Sequence, residues 1–139
     1  MFYYAFVLSL EFNKEVTIPD YNEHVNIPYS RNFPRSLHNR GSDNFSYKTP
    51  FISSIEEPYV DKMLDVFVDK MHKKVMKVKD YLKEKECEVS ITILYDDNTL
   101  DDDEEFKGYI VRANTIKLLS EMDASLDYSS SIAKDILNI

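Results

Sequence analysis

Residues 57–96 read "EPYVDKMLDVFVDKMHKKVMKVKDYLKEKECEVSITILYD". Two periodicities meet inside this stretch, and their junction decides the fold class. From Glu57 to Cys87 there is no glycine, and Pro58 stands where a helix should begin. Val60, Leu64, Phe67, Met71, Val75, Val78 and Leu82 follow at spacings of four and three, which lays one apolar stripe along a helix. Either one long helix or two with a bend at "MHKKV" fits that stripe. From Glu88 the period changes to two. Val89, Ile91, Ile93 and Tyr95 face one way against Ser90 and Thr92, with Leu94 as the exception. A helix therefore runs into a strand.

The N-terminal residues repeat the strand signal. Phe2, Tyr4, Phe6, Leu8, Leu10 and Phe12 alternate with Tyr3, Ala5, Val7, Ser9 and Glu11. The second face is also apolar until Ser9, as expected of a central strand. The run is not read as a signal peptide, because it lacks a basic leading region and Glu11 interrupts it. Residues 13–56 form an irregular insertion punctuated by Pro19, Pro28, Pro34, Pro50 and Gly41, with Asn44–Ile52 as the best strand candidate. Beyond the quoted stretch, "FKGYIVRA" reads as a strand and Asn114 as the cap of a helix carrying Ile116, Leu118, Leu119 and Met122. "SLDYSSSI" reads as an edge strand with a polar outer face. The expectation is an α+β two-layer sandwich with helices on one face. Its order is β-α-β-β-α-β, ferredoxin-like, with a long insertion after the first strand.

The chain has 139 residues, which is one domain, 1–139, with enough length to bury a core unaided. Cys87 is the single cysteine, so an internal disulfide is excluded and a reducing, cytoplasmic setting is expected. No run approaches the roughly 20 apolar residues of a membrane helix, so no membrane contact is expected. The net charge is −8. Residues 1–56 carry six acids against five bases, residues 57–95 eight of each, and residues 96–139 eleven acids against four bases. Nearly all the imbalance lies in the last third. Such a surface repels nucleic acid and attracts a basic protein.

Most of that charge lies in "YDDNTLDDDEEF", residues 95–106, between two strand signals, and is read as an acidic hairpin loop. Asp96, Asp97, Asp101, Asp102, Asp103, Glu104 and Glu105 crowd ten residues between Tyr95 and Phe106. The EF-hand pattern fails, since counting from Asp96 position 5 is Leu100, position 6 is Asp101 and position 12 is Lys107. Three readings stay open: a loose divalent-cation loop, a soluble hairpin tip, or a patch that recognises a basic partner. The third is the expectation, because like charges packed this densely repel one another until a cationic partner relieves them. Tyr95, Leu100, Phe106 and Tyr109 are its candidate apolar anchors.

A second candidate site is "PYSRNFPRSLHNRG", where Arg31, Arg35 and Arg40 interleave with Tyr29, Phe33 and His38. Those are the ingredients for phosphate or base contacts in a small-molecule or nucleotide-binding module, and more commonly of a loop whose arginines pair with local acids and whose aromatics pack into the core. Catalysis has little to draw on. His24, His38 and His72 share no metal spacing with Cys87, and no phosphate loop, nucleophile elbow or zinc-protease motif occurs. No enzyme activity, metal or cofactor is expected.

The segment "TPFISSIEEPYVDKMLDVFVDKMHKKVMKVKDYL", followed by "EVSITILY" and "FKGYIVRANTIKLLSEMDASLDYS", resembles a family of small bacterial proteins. Some of its members look like immunity proteins of polymorphic or contact-dependent inhibition toxins. The resemblance covers about 80 residues and implies an antitoxin that occludes the basic active site of a toxin, a nuclease being the expected kind. A ligand-binding module using the arginine segment and a homo-oligomeric structural protein are the rivals. A monomer is favoured.

Overall fold

A computed structural model describes residues 2–35, 41–96 and 110–129. Its order is β1 (Tyr3–Phe12), α1 (Ile18–His24), β2 (Arg31–Phe33), β3 (Asp43–Lys48), β4 (Ile52–Ser53), α2 (Val60–Lys77), α3 (Lys79–Glu84), β5 (Cys87–Asp96), α4 (Ala113–Glu121) and β6 (Ser125–Ser129). Among the described residues the fold is α+β, a six-stranded mixed sheet with four helices. No described helix is long and apolar enough to cross a membrane.

β1 is the hub. It pairs antiparallel with β5 along its whole length, from Tyr3↔Asp96 to Phe12↔Cys87, and on its other side with β3 and β4. β2 borders β3, and β6 closes the opposite edge parallel to β5. Among the described residues, 125–129 lie at an edge of the sheet, where an edge strand is expected, although Tyr128, expected on the inner side, is exposed.

The ferredoxin-like order is not confirmed by these pairings. In that arrangement the strand after the first crossover helix does not lie beside the first strand, whereas β5 follows α2 and α3 and lies directly on β1. The "FKGYIVRA" segment falls largely outside the described residues, and its described part, 110–112, is not strand.

Paired residues share a sheet face. The even residues Tyr4, Phe6, Leu8, Leu10 and Phe12 therefore lie with Phe45 of β3 and with Val89, Ile91 and Ile93 of β5. They form one buried cluster with Tyr21 of α1, with Leu64, Phe67, Val68, Met71 and Val75 of α2, and with Leu118 and Leu119 of α4. Ring contacts fix the packing: Phe6 stacks on Phe67 at 5.4 Å, and Tyr21 lies flat on Phe45 at 3.9 Å between centroids. On the other face Ala5, Val7 and Leu94 form a small second cluster with Phe51. That explains why Leu94 breaks the alternation of its strand.

The apolar stripe runs through two helices, and the break falls at Val78, past the "MHKKV" segment. Val78 leaves helical geometry at φ −118° and ψ 15°, its N–H bonding Val75 O at 3.1 Å. Leu82 of α3 is still buried, so the stripe survives the break.

The described part of the insertion holds more regular structure than its sequence suggests, α1, β2, β3 and β4. Thr17 caps α1, taking the Asp20 N–H at 3.2 Å while Asp20 takes the Thr17 N–H, with Pro19 in the first turn. The hydrogen bonds with Thr17 hold the Asp20 carboxyl below the ordinary carboxylate range.

Asn114 does not cap α4. Arg112 occupies the cap position, and the Asn114 amide donates to Asp65 Oδ1 at 3.1 Å instead. The buried Thr115 hydroxyl donates to the same oxygen at 2.7 Å. Arg112 Nε meets Asp61 Oδ2 at 3.0 Å, a contact that keeps the Asp61 carboxyl below its usual range. The start of α4 is thus fastened to the first turns of α2 by polar contacts.

Candidate functional site

The acidic segment starts from a rigid base. Tyr95 and Asp96 are the two members of that candidate site within the described residues, and they are the last residues of β5. Tyr95 pairs with Tyr4 on the core face and is half-buried. Asp96 pairs with Tyr3 on the other face and is 8% exposed, so it is not itself a surface carboxylate. Asp97, Asp101, Asp102, Asp103, Glu104, Glu105 and Phe106 lie outside the described residues, as do the anchor candidates Leu100 and Tyr109.

Several elements converge at this end of the sheet. Tyr3 also pairs with Ser53 of β4, and Ser53 O accepts the Glu57 N–H at 2.9 Å. Glu57 O in turn accepts the Tyr4 hydroxyl at 2.7 Å. Burial, reinforced by the Glu57 charge, pushes the Tyr4 phenol up to about 12. Tyr59 then opens α2, and the Asp61–Arg112 contact brings in the start of α4. The end of β5, the turn after β4 and the first residues of α2 and α4 therefore share one end of the molecule. Ile55, Tyr59 and Ile110 are exposed there, at 71%, 66% and 81%. Sequence reasoning missed these three.

The arginine segment divides. Arg31 lies in β2, its guanidinium carbon 5.6 Å from the Phe33 ring centre. Arg35 is bound to its own fold. Its backbone N–H donates to Asp43 Oδ1 at 2.7 Å, its Nε lies 3.5 Å from Asp43 Oδ2, and its Nη2 donates to Asn13 O at 3.2 Å. Asp43 is buried and also accepts the Val16 N–H at 3.0 Å. A charge-assisted carboxylate of this kind locks two loops to the sheet margin. Tyr29 packs edge-on against Tyr21 and Phe45. Arg40 lies outside the described residues. Beside Arg35 a cleft of about 510 Å³ is lined by Val16, Ile18, Pro19, Asn32, Pro34 and Asp43 among others.

Among the described residues no three His, Cys, Asp or Glu side chains are placed to hold a metal ion. Burial pushes the Cys87 thiol up to about 12, which leaves almost no thiolate at neutral pH. The lysine-rich helix is partly self-neutralised, with Lys73 Nζ 3.4 Å from Asp69 Oδ2 one turn back. Comparison of the chain with family models, with curated proteins and with solved structures finds no match.

Proposed function

We propose that the protein is an immunity or antitoxin protein, a stoichiometric inhibitor that binds the basic active-site cleft of a toxin, most simply a nuclease. What supports the reading is the density of charge, seven carboxylates in the ten residues 96–105, on a segment whose first residue, Asp96, ends a central strand.

The mechanism is occlusion. Nuclease clefts are basic because they bind phosphates, and carboxylates steer encounter with them at a salt-dependent rate. Apolar contacts then slow dissociation. The role needs neither catalytic residue, metal nor cofactor, and it belongs in the cytoplasm of the cell that the toxin attacks.

The test is capture of partners by the tagged protein from its own host at low and high salt, with a variant carrying Asn and Gln at the five acids Asp101–Glu105. A basic nuclease retained only at low salt, and lost by a well-folded variant, is the expected result. Equal retention by the variant contradicts it.

A second reading is favoured by the cleft beside Arg35. A small molecule or nucleotide could enter it with Arg35 as the cation, against the Glu15 carboxylate that also lines it. Asp43 already offsets the Arg35 charge, which weakens that case. Thermal stabilisation by nucleoside phosphates, abolished by Arg35→Gln without loss of fold, would favour it.

A further inference from the structure

The cleft beside Arg35 is a built recess, and Asp43 builds it. One wall is the chain that enters α1, residues 15–19, and the other is the end of β2 with the two residues after it, 32–35. Asp43 Oδ2 accepts the Val16 N–H at 3.0 Å, and Oδ1 accepts the Arg35 N–H at 2.7 Å. Thr17 and Asp20 fix the first wall again through the capping box, and the Asn32 side-chain amide fixes the second by donating to Asn44 O at 3.1 Å. Both walls are hydrogen-bonded to the fold, so the width between them is set before anything enters. The volume, about 510 Å³, falls within the range of small-molecule sites.

Its charge is not the one that the arginine suggests. Among the described residues that line it, three are charged: Glu15, Arg35 and Asp43. Arg35 and Asp43 answer each other, and Arg35 Nη2 is also turned to Asn13 O at 3.2 Å. Glu15 is exposed and engaged by no cation among the described residues, and Lys14, beside it in sequence, does not line the cleft. An anion would therefore meet an arginine already paired and a carboxylate that repels it. A cation would meet the reverse. The same lining holds Ile18, which is 45% exposed, with Pro19 and Pro34, apolar surface for an aliphatic chain to cover.

We propose that this cleft binds a small amphiphilic cation, an aliphatic amine whose chain lies on Ile18, Pro19 and Pro34 and whose ammonium is answered by Glu15. The proposal is independent of the inhibitor reading, and it reverses the charge that a nucleotide at Arg35 would need. An exposed ion pair contributes little, so hydrocarbon contact sets the affinity and Glu15 sets which end group is accepted.

The test titrates hexylamine, protonated at neutral pH, then hexanol and hexanoate into the full chain, read by backbone amide shifts at residues 15–18 and at Asn32 and Arg35. The expected order is amine over alcohol by about threefold, as an exposed pair allows, with hexanoate weakest. Octylamine should bind roughly tenfold tighter than hexylamine, because two more methylenes are buried. Glu15→Gln should remove the preference for amine over alcohol and leave alcohol binding as it was. Ile18→Ser should weaken amine and alcohol alike. Neither variant touches Asp43 or Arg35, so both keep the walls. The proposal is overturned if hexanoate or adenosine triphosphate binds tighter than hexylamine, if Glu15→Gln keeps the amine preference, or if no probe shifts these residues. A blocked lysine, Nα-acetyl-lysine amide, binding tighter than hexylamine would assign the cleft to a side chain of a protein partner and overturn it as well. None of these outcomes bears on partner capture, so the inhibitor reading stands or falls apart from them.

Discussion

The described residues of the insertion between β1 and α2 and those from α2 to β6 are held in place by different means. In the latter, Val60, Leu64, Phe67, Met71, Val75 and Leu82 recur at helical spacing, and Val89, Ile91 and Ile93 at strand spacing. Burial of those rows against β1 decides the structure. In the insertion no row repeats. Its elements are short, α1 with seven residues and β2 with three, and they are held by scattered core residues such as Val16, Tyr21, Ile27 and Phe45 together with a few polar clamps. Foremost is Asp43, which gathers the backbone of Val16, the backbone of Arg35 and the Arg35 side chain on one buried carboxylate. Periodic burial spreads stability over many residues. A polar clamp concentrates it in one.

The sharpest way to break the comparison is therefore Asp43→Ala. It leaves the buried Val16 N–H without its acceptor and frees the backbone and the exposed side chain of Arg35, a loss toward the upper end of the roughly 1–3 kcal/mol that an unsatisfied buried group costs. Hydrogen exchange should show residues 15–35 opening while β1 and β5 stay protected. Uniform loss of protection would mean that the clamp supports the whole fold. Asp65→Ala tests the other region at its own polar point. The Thr115 hydroxyl, fully buried, would lose its acceptor at a cost of about 1–3 kcal/mol, read from denaturant midpoints. It should loosen α4 from α2 and leave the insertion intact.

A smaller effect sharpens the picture of the turns. Glu86, between α3 and β5, has φ +51°, the left-handed region that costs an L-residue about 1 kcal/mol. Its contacts are made by the backbone, including O to Asn13 N at 3.2 Å and to Asn13 Nδ2 at 2.9 Å. Glu86→Gly should therefore raise stability by up to about 1 kcal/mol, offset in part by the greater freedom of glycine when unfolded.

The smallest effects are in pH. Asp20 and Asp61 are held below the ordinary carboxylate range by Thr17 and Arg112 respectively. Their contribution is complete above the unfolded pKa of about 4 and disappears as pH falls through the lower folded values. Both are solvent-accessible, so acid titrations of Asp20→Asn and Asp61→Asn should differ from the parent only slightly, and only below that pH. For Cys87 the shift is upward. The folded thiol should resist alkylation at pH 8, where an unfolded control reacts, and the protein should lose stability as pH rises past the unfolded thiol value near 9.

What could be read beforehand follows the same division. The even-numbered face of β1 and the apolar stripe of α2 are period signals, and burial follows them residue by residue. The break at Val78 was not legible, because the stripe keeps its spacing across it. α1 was missed although Thr17, Pro19 and Asp20 spell a capping box, since seven residues are too few for a periodic pattern. Asn114 was assigned as a cap on local grounds, and Asp65, distant in sequence, claims its amide. Arg35 pairs with a local acid, one of the two roles its segment allowed. Of the acidic site, the sequence shows composition and position between elements. Which apolar residues stand exposed is a tertiary property, so Ile55, Tyr59 and Ile110 had no sequence signal of their own.

The central claim, a surface made for a basic protein, is tested most directly by capturing the partner from the native host at low and high salt with the parent and with the variant neutralised over Asp101–Glu105. The account predicts a basic nuclease bound by the parent at low salt, inhibited in an activity assay, released at high salt and ignored by the folded variant. A partner held equally by parent and variant, or parent protein that leaves the captured nuclease fully active, would contradict it.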